Sequence, residues 1–212
     1  MSLTDQALMN AVQYVLLEPP DLGATFPSGL WTRDEVITAL SERQNRLLKS
    51  TLMLAGIVDI PALAAQHRFP LPEDWLTTVA LTWFGSDGTI VSLSRSDAFE
   101  ADHGLPTWVN QRDTPLLYMD EETPTLLVQI APAPLIDGTL ELVYIPESLD
   151  ITGDGSPLTV PDTYALPVLK YGLLAELFGK DGRGKNPEKA AYCEMRYALG
   201  IQMAEILLNG WV

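Results

Sequence analysis

The chain has 212 residues, of which 47% are hydrophobic and 19% are charged. This composition is typical of a folded globular protein and excludes an intrinsically disordered one. The formal net charge of −15 falls entirely within residues 1–160, which hold 22 acidic and seven basic residues. A surface of this sign repels the phosphate backbone, which excludes a non-specific DNA- or RNA-binding protein.

The sequence contains few features that bear on disulfide formation, membrane insertion or secretion. The single cysteine, Cys193, excludes an intrachain disulfide and a thiolate metal cluster within one subunit. No run of about 18 apolar residues is present, and the N-terminal sequence MSLTDQALMN lacks a basic segment followed by an apolar run. We therefore expect a soluble, unsecreted protein without a membrane contact.

Two helices are predicted in the N-terminal region. Apolar residues recur with a helical period over residues 3–17, and the Glu18-Pro19-Pro20 run is expected to end this helix. A second helix is predicted from Thr32 to about Leu54, because Thr32 and Glu35 have the spacing of a capping box. Its polar face is expected to carry Glu42, Arg43, Asn45, Arg46 and Lys49.

The hydrophobic period changes to that of strands between residues 70 and 161. Trp75–Phe84 is rich in β-branched and aromatic residues, and a glycine-rich turn leads to a return strand at Thr89–Leu93. A second strand pair is predicted between Thr125–Ala131 and Thr139–Ile145, joined by a proline-rich loop. The other loops of this region are long and acidic, and we expect them at the surface.

Helical spacing returns after Pro161 and continues to the C-terminus. The first helix of this part is predicted to end at Gly179, and Asn186-Pro187-Glu188 has the residues of a new helix start. The short connection makes the two helices antiparallel neighbours. Their apolar stripes are predicted at Leu166, Leu169, Leu173, Leu174 and Leu177, and at Cys193, Tyr197, Ile201, Ala204 and Leu208.

Together these elements predict an α+β fold. Residues 1–69 and 162–212 are expected to form an antiparallel helical bundle. Residues 70–161 are expected to form an inserted small β-sheet or sandwich module with long acidic loops.

Two loops have partial matches to ligand-binding motifs. Gly179–Lys185 fits the phosphate-loop spacing, but a helix precedes it, Asn186 replaces the magnesium-binding hydroxyl and Pro187 lacks an amide donor. We interpret it as a linker. Residues 150–156 place Asp and Thr at calcium-loop positions, but Pro161 stands where a bidentate glutamate is required. We expect a flexible acidic loop, and whether it binds an ion stays open.

No catalytic, metal-binding or cofactor-binding residue is predicted. His67 and His103 lie in unlike segments without a helical metal-site partner, and each is expected to be a surface or hydrogen-bonding residue. Cys193 falls on the apolar stripe of the last helix, which favours a buried core thiol over a nucleophile. We therefore expect a protein that is not an enzyme and that uses no cofactor.

The C-terminal run VPDTYALPVLKYGLLAELFGKDGRGKNPEKAAYCEMRYALGIQMAEILL resembles that of head-to-tail adaptor (connector) proteins of tailed bacteriophages. Its last helix contains the E-x-R-Y-x-x-G pattern of that family. The earlier run WTRDEVITALSERQNRLLKSTLMLAG also resembles a helix near the N-terminus of such proteins. The resemblance covers two separate blocks, and the β module between them is compatible with it.

The resemblance implies a structural virion protein that forms the ring joining the portal to the tail and lets DNA pass. The implied partners are the portal protein, a tail or nozzle protein, further copies of the chain in a ring of about 12, and DNA that passes through the channel without sequence-specific binding. The implied location is the virion neck, after assembly in the bacterial host cytoplasm. An acidic channel would let DNA slide without adhering.

Two other functions remain open at this stage. A small-molecule or carbohydrate-binding module would use Trp75, Trp83 and Trp108 as stacking platforms, although strand tryptophans usually belong to a core. A hydrolase would use paired carboxylates of Asp120-Glu121-Glu122, although adjacent acids in a turn are usually only solvated.

Overall fold

The computed structural model describes residues 3–16, 30–105, 107–120 and 126–209. The fold is mixed α+β, and the chain divides into two compact units. The helical unit comprises Met1–Met53 and Ser148–Val212, and the β unit comprises Leu54–Glu147. Strands occur within residues 54–69, a stretch that was expected to belong to the helical bundle. The domain boundaries proposed from the sequence stay a prediction.

Helix α1 (Asp5–Val15) begins at an N-cap threonine whose hydroxyl accepts the N–H of Ala7. Leu8, Met9 and Val12 are fully buried, as expected for one face of an amphipathic helix. The predicted end at Glu18-Pro19-Pro20 lies outside the described residues.

Helix α2 (Arg33–Thr51) confirms the capping box. The Thr32 hydroxyl accepts the N–H of Glu35, and the Glu35 carboxylate accepts the N–H of Thr32. The helix ends at Thr51, because Leu52 adopts a left-handed conformation with φ 53°. Arg43 is buried, so its predicted place on the solvent face is wrong.

Residues 162–179 form one helical run with a change of winding. It consists of α4 (Asp162–Tyr164), a π-helical turn (Ala165–Leu169) and α5 (Lys170–Gly179). Pro167 lies inside the π turn, which fits its lack of an N–H donor for a regular helix. The wider turn leaves Leu166 exposed rather than in the predicted apolar stripe, whereas the other four leucines of that stripe are buried.

Helix α6 (Pro187–Asn209) begins where the sequence predicts it, and Asn186 accepts the N–H of Lys189. Within the helical unit, α5 packs against α6, both pack against α2, and α1 contacts α5. Gly172 of α5 faces the Tyr197 ring, where an added Cβ would lie 2.8 Å from a ring carbon. The close contact of α5 with α6 therefore requires glycine at this position.

The β unit contains ten short strands and one short helix among its described residues. In chain order the strands are β1 (Gly56–Ala62), β2 (Arg68–Pro70), β3 (Trp75–Gly85), β4 (Ile90–Ser92), β5 (Ser94–Arg95), β6 (Arg112–Asp113), β7 (Leu117–Met119), β8 (Leu127–Ala131), β9 (Ala133–Pro134) and β10 (Gly138–Pro146). Helix α3 (Ala98–Gly104) follows β5.

The strands form two four-stranded sheets and one two-stranded sheet. The first sheet has the antiparallel order β1-β10-β3-β4, and the second has the order β2-β8-β7-β5 with β5 parallel to β7. Strands β6 and β9 pair in parallel. The predicted hairpin of Trp75–Phe84 with Thr89–Leu93 is confirmed, since Trp83 pairs with Val91 and Phe84 with Ile90.

The second predicted strand pair is wrong. Strand β8 lies between β2 and β7, whereas β10 lies between β1 and β3 in the other sheet. The connection contains Pro132 and Pro134, which lack the N–H donors that a continuing hairpin ladder needs. The chain therefore changes sheets at this loop, and the predicted first residue of the strand, Thr125, lies outside the described residues.

The core of the β unit lies around Trp83, which is 1% exposed. Alternate residues of the central strands point into this core, as the period of a strand requires. Its other fully buried members include Phe69, Leu81, Val128, Ile130, Leu140 and Leu142. A smaller cluster under α3 contains Ala101, Trp108, Met119 and Ala131.

Candidate functional site

Helix α6 carries apolar residues on two different faces. One face packs into the helical unit through Cys193, Tyr197, Ile201 and Ala204, all of which are buried. The last predicted member of this stripe, Leu208, is exposed near the end of the helix. The second face, called here the outer face of α6, remains 47–68% exposed and consists of Tyr192, Met195, Leu199, Met203, Ile206 and Leu207.

An exposed apolar surface of this kind is unusual for a monomer. Side chains at positions 192, 195, 199, 203, 206 and 207 share one face because their spacing follows the helical period. Soluble monomers seldom expose contiguous apolar patches, and larger ones mark interaction surfaces. The outer face of α6 is therefore the candidate functional site of the protein, and its chemistry is that of association.

A groove of about 400 Å³ runs between the outer face of α6 and residues 163–168. Among the described residues, its lining is mainly apolar and contains one charged side chain, Arg196, and no carboxylate. The Arg196 guanidinium lies 5.1 Å from the centre of the Tyr171 ring, which holds the charge in place. The apolar lining comes from Pro167, Val168, Leu199, Met203, Ala204 and Leu207.

Arg43 anchors α6 from the opposite side. Its Nη2 lies 2.6 Å from Glu176 Oε1 of α5, and its Nη1 lies 2.6 Å from Glu194 Oε2 of α6. The Tyr197 hydroxyl donates to the Arg43 carbonyl at 2.6 Å, and the Arg43 guanidinium lies 4.9 Å from the Tyr197 ring centre. These contacts tie three helices together, so the outer face of α6 is presented on a rigid support.

The pKa values of this cluster follow from its burial and charges. Burial acts to lower the pKa of Arg43, but the hydrogen bond and charge of Glu176 and the charge of Glu194 outweigh it and raise that pKa above its usual value. Burial raises the pKa of Tyr197 to about 12. Both side chains therefore keep one protonation state throughout the neutral range, as structural groups do.

The loop that matched the phosphate-binding spacing joins α5 to α6. Lys180 Nζ lies 2.6 Å from Glu35 Oε1, and the ammonium of Lys185 pairs with Asp181. Trp31 Nε1 donates to the Leu177 carbonyl at 2.9 Å, and a Cβ on Gly184 would lie 2.8 Å from the Trp31 ring. The described contacts of this loop are those of a helix connection.

The loop at residues 150–156 encloses a carboxylate. The N–H groups of Gly153 and Gly155 donate to the two oxygens of the buried Asp5, at 2.7 and 2.9 Å. Arg33 pairs with Asp154 from the outside. A calcium loop must instead direct oxygens inward, so this arrangement of inward-pointing amides has the chemistry of an anion nest, which Asp5 fills.

The two histidines and the cysteine lie in surroundings that indicate structural rather than catalytic roles. His103 Nδ1 lies 2.8 Å from the Phe99 carbonyl, and the His67 carbonyl accepts the N–H of Ile130. Cys193 is buried, and burial raises the pKa of its thiol. In the part of the chain that the structure describes, no group of three or more His, Cys, Asp or Glu side chains could hold a metal ion.

The tryptophans of the alternative binding function are packed inside the β unit. Trp83 and Trp108 are buried, and Trp108 Nε1 donates to Asp102 Oδ1 at 2.8 Å. Trp75 is half-buried and donates to Thr78 Oγ1 at 3.1 Å. The covered rings of Trp83 and Trp108 cannot stack on a sugar, so this alternative loses two of its three platforms.

The carboxylates of the alternative hydrolase do not form an observed pair. Asp120 is buried and accepts a hydrogen bond from Arg95 Nε at 3.0 Å. Glu121 and Glu122 lie outside the described residues. The pairing of this buried carboxylate with an arginine explains its presence without a catalytic role.

The outer face of α6 was not predicted from the sequence, although a signal for it was present. The outer face of α6 can be read from a second helical stripe that runs beside the recognised one. The roles of Arg43 and Asp5 had no such signal, because their partners lie more than 130 residues away in the chain. In the described ranges, no helix is both long and apolar enough to span a bilayer.

Comparison with protein families gives a match over most of the sequence. The family model described as SU10 adaptor protein matches residues 4–207, which is nearly the whole chain. No curated protein matches it. Together with an outer helix face suited to association and the family resemblance of its two helical blocks, this match shows that the chain belongs to the SU10 adaptor protein family and is a phage structural adaptor protein.

Proposed function

We propose that this adaptor is a virion component that forms a ring between the portal and the tail and lets DNA pass through it. The observation that carries the proposal is the outer face of α6, where six large apolar side chains are exposed on one face of a helix. A surface of this kind is stable when it is covered by protein. In the proposed ring, such surfaces are covered by neighbouring copies of the adaptor, by the portal and by a tail or nozzle protein.

The charge distribution supports DNA passage. The β unit holds 14 acidic residues and three arginines, a formal charge of −11, whereas the helical unit carries −4. A channel lined by carboxylates repels phosphates, so DNA gains no counterion release by adhering to it. In this proposal acidic loops of residues 97–160 line the channel, and DNA passes through it without sequence-specific binding.

The proposed assembly has about 12 copies in the virion neck, formed in the host cytoplasm on the portal. In this proposal the helices of the helical unit act as an antiparallel bundle. The protein performs no catalysis and uses no cofactor. The buried tryptophans and the Arg95–Asp120 pair favour neither alternative function.

Imaging by negative-stain electron microscopy tests this proposal. The full-length protein is imaged alone and with purified portal rings, with an unrelated acidic protein of similar size as the control. We expect extra ring density on one side of the portal only with the adaptor. If the portal remains bare, or if a reconstruction places the carboxylates of residues 97–160 on the outside of the ring, the proposal is overturned.

A further inference from the structure

The β unit presents one aromatic side chain on a rigid projection. Phe99 of α3 is 70% exposed, and its ring lies against the His103 ring with centroids 4.1 Å apart. The helix is fixed beneath it, because Ala101 is fully buried in the small cluster and Trp108 donates to Asp102. The phenyl ring is therefore preorganised for insertion into a partner, which reduces the entropy lost on binding.

Carboxylates surround this projection. The Asp97 side chain caps α3 by accepting the N–H of Glu100 at 2.7 Å, and the Glu100 carboxylate is itself exposed. Two other aromatic side chains among the described residues are more than half exposed, namely Tyr14 and Tyr192. Tyr14 has no acidic residue within three positions, and Tyr192 belongs to the outer face of α6. Phe99 therefore combines an exposed ring with adjacent negative charge.

The groove beside α6 has the complementary properties. Its volume of about 400 Å³ accommodates a phenyl ring, its walls are apolar, and its charged side chain is the positive Arg196. A carboxylate next to an inserted ring would find this guanidinium and no competing carboxylate on the lining. Shape, polarity and charge thus match the acidic projection of α3.

We propose that Phe99 of one subunit inserts into the α6 groove of a second copy of this chain, with Glu100 facing Arg196. This inference rests on the proposed ring function and names its subunit contact. The two surfaces differ, so the contact is heterologous, and repeated heterologous contacts close into a ring or continue as a filament.

Photocrosslinking in the assembled ring tests the contact directly. A benzophenone analogue of phenylalanine at position 99 keeps an aromatic ring and reacts preferentially with nearby methionine, and Met203 lines the groove. After irradiation of portal-bound rings we expect crosslinked dimers with the adduct on the tryptic peptide 197–212. The same probe at position 90, where Ile90 is also exposed, is the control. Crosslinks that avoid this peptide, or that are equally strong from position 90, would overturn the inference.

Variants separate this inference from the ring function itself. We expect Phe99→Ala to lower the yield of portal-bound rings by about tenfold or more, the effect of losing an interface hot spot. The matched variant Tyr14→Ala removes an equally exposed aromatic and should leave the yield unchanged. If Phe99→Ala forms rings like the wild type, the inference fails while the ring function stands. If the wild type forms no rings, the ring function fails as well.

A charge reversal tests the proposed orientation. Glu100→Arg and Arg196→Glu should each lower ring yield, because each places like charges opposite one another across the contact. The double variant restores an opposite pair and should recover most of the yield. Circular dichroism of each purified variant confirms that it is folded. A double variant that assembles no better than the single variants would show that Glu100 and Arg196 do not face each other.

Discussion

The helical unit and the β unit are stabilised in different ways. The helical unit buries charged side chains, Arg43 and Asp5, whose partners come from distant parts of the chain. The β unit is built around the apolar cluster of Trp83 and carries most of the negative charge outside that core. Both units therefore pack an apolar core, and the helical unit adds directed polar contacts between residues that lie far apart in the chain.

The largest effect is expected from the core of the β unit. Trp83→Ala removes a fully buried indole and should lower the free energy of unfolding of that unit by about 3–5 kcal/mol. The matched variant Ile90→Ala, at an exposed position of the same sheet, should change it by less than about 0.5 kcal/mol. Urea unfolding followed by tryptophan fluorescence measures both. Equal effects of the two variants would contradict the proposed core.

The second prediction concerns the polar anchor of the helical unit. Arg43→Met keeps much of the side-chain volume but removes both ion pairs, and it should cost about 2–3 kcal/mol. Arg46 also contacts Glu194 but is more than half exposed, so Arg46→Met should cost less than about 1 kcal/mol. The stability lost in each of the two variants is measured by thermal unfolding at low and high salt. A loss of stability from Arg46→Met as large as that from Arg43→Met would contradict the larger contribution expected of the buried arginine.

The same contrast explains which structural features could be predicted from the sequence. Features encoded by neighbouring residues were predicted well: the capping box of Thr32 and Glu35, the hairpin at Trp83 and Phe84, and the start of α6 at Pro187. Each depends on residues that lie within about ten positions of one another.

Features that depend on distant residues were missed. Nothing near Arg43 shows that Glu176 and Glu194 cover it, and its neighbours made a solvent position the natural expectation. Strand β1 is short and contains Pro61, so it has little strand signal without its partner β10. The outer face of α6 was readable as a pattern, but only the packed neighbours of the other stripe show which of the two faces is left uncovered.

A smaller effect is expected at the loop that encloses Asp5. Asp5→Asn replaces one accepting oxygen by an NH₂ group that faces a backbone N–H, and it should cost about 1–2 kcal/mol. The exposed Asp150 in the same acidic loop is the control, and Asp150→Asn should be nearly neutral. Thermal melts of both variants measure this. Calcium should not raise the melting temperature of the wild type, and a clear increase would restore the ion-site interpretation.

The smallest effect is a pH dependence at the start of α2. The Lys180 hydrogen bond and the Thr32 N–H lower the pKa of Glu35 from 4.5 to about 2. Because the folded-state pKa lies below the unfolded one, this carboxylate contributes stability above about pH 4.5, and the contribution is lost as the pH falls toward 2. Glu35 is exposed, so solvent screening keeps the effect small.

Denaturation curves between pH 7 and pH 2 compare the wild type with Glu35→Gln. The difference in stability between the two proteins should be present at neutral pH and should disappear at the acidic end. Lys180→Met retains the carboxylate but removes its partner, so it should move this loss toward higher pH. A difference that stays constant down to pH 2 would contradict the assigned pKa.

The pairing of β1 with β10 has a consequence for the history of such proteins. These are the first and last strands of the β unit, and Gly56 at the start of one pairs with Tyr144 near the end of the other. The unit therefore has adjoining ends, the arrangement in which domain insertion into a host protein is best tolerated. Recombination at two sites in a gene could exchange or remove the whole unit while leaving the Arg43 contacts intact.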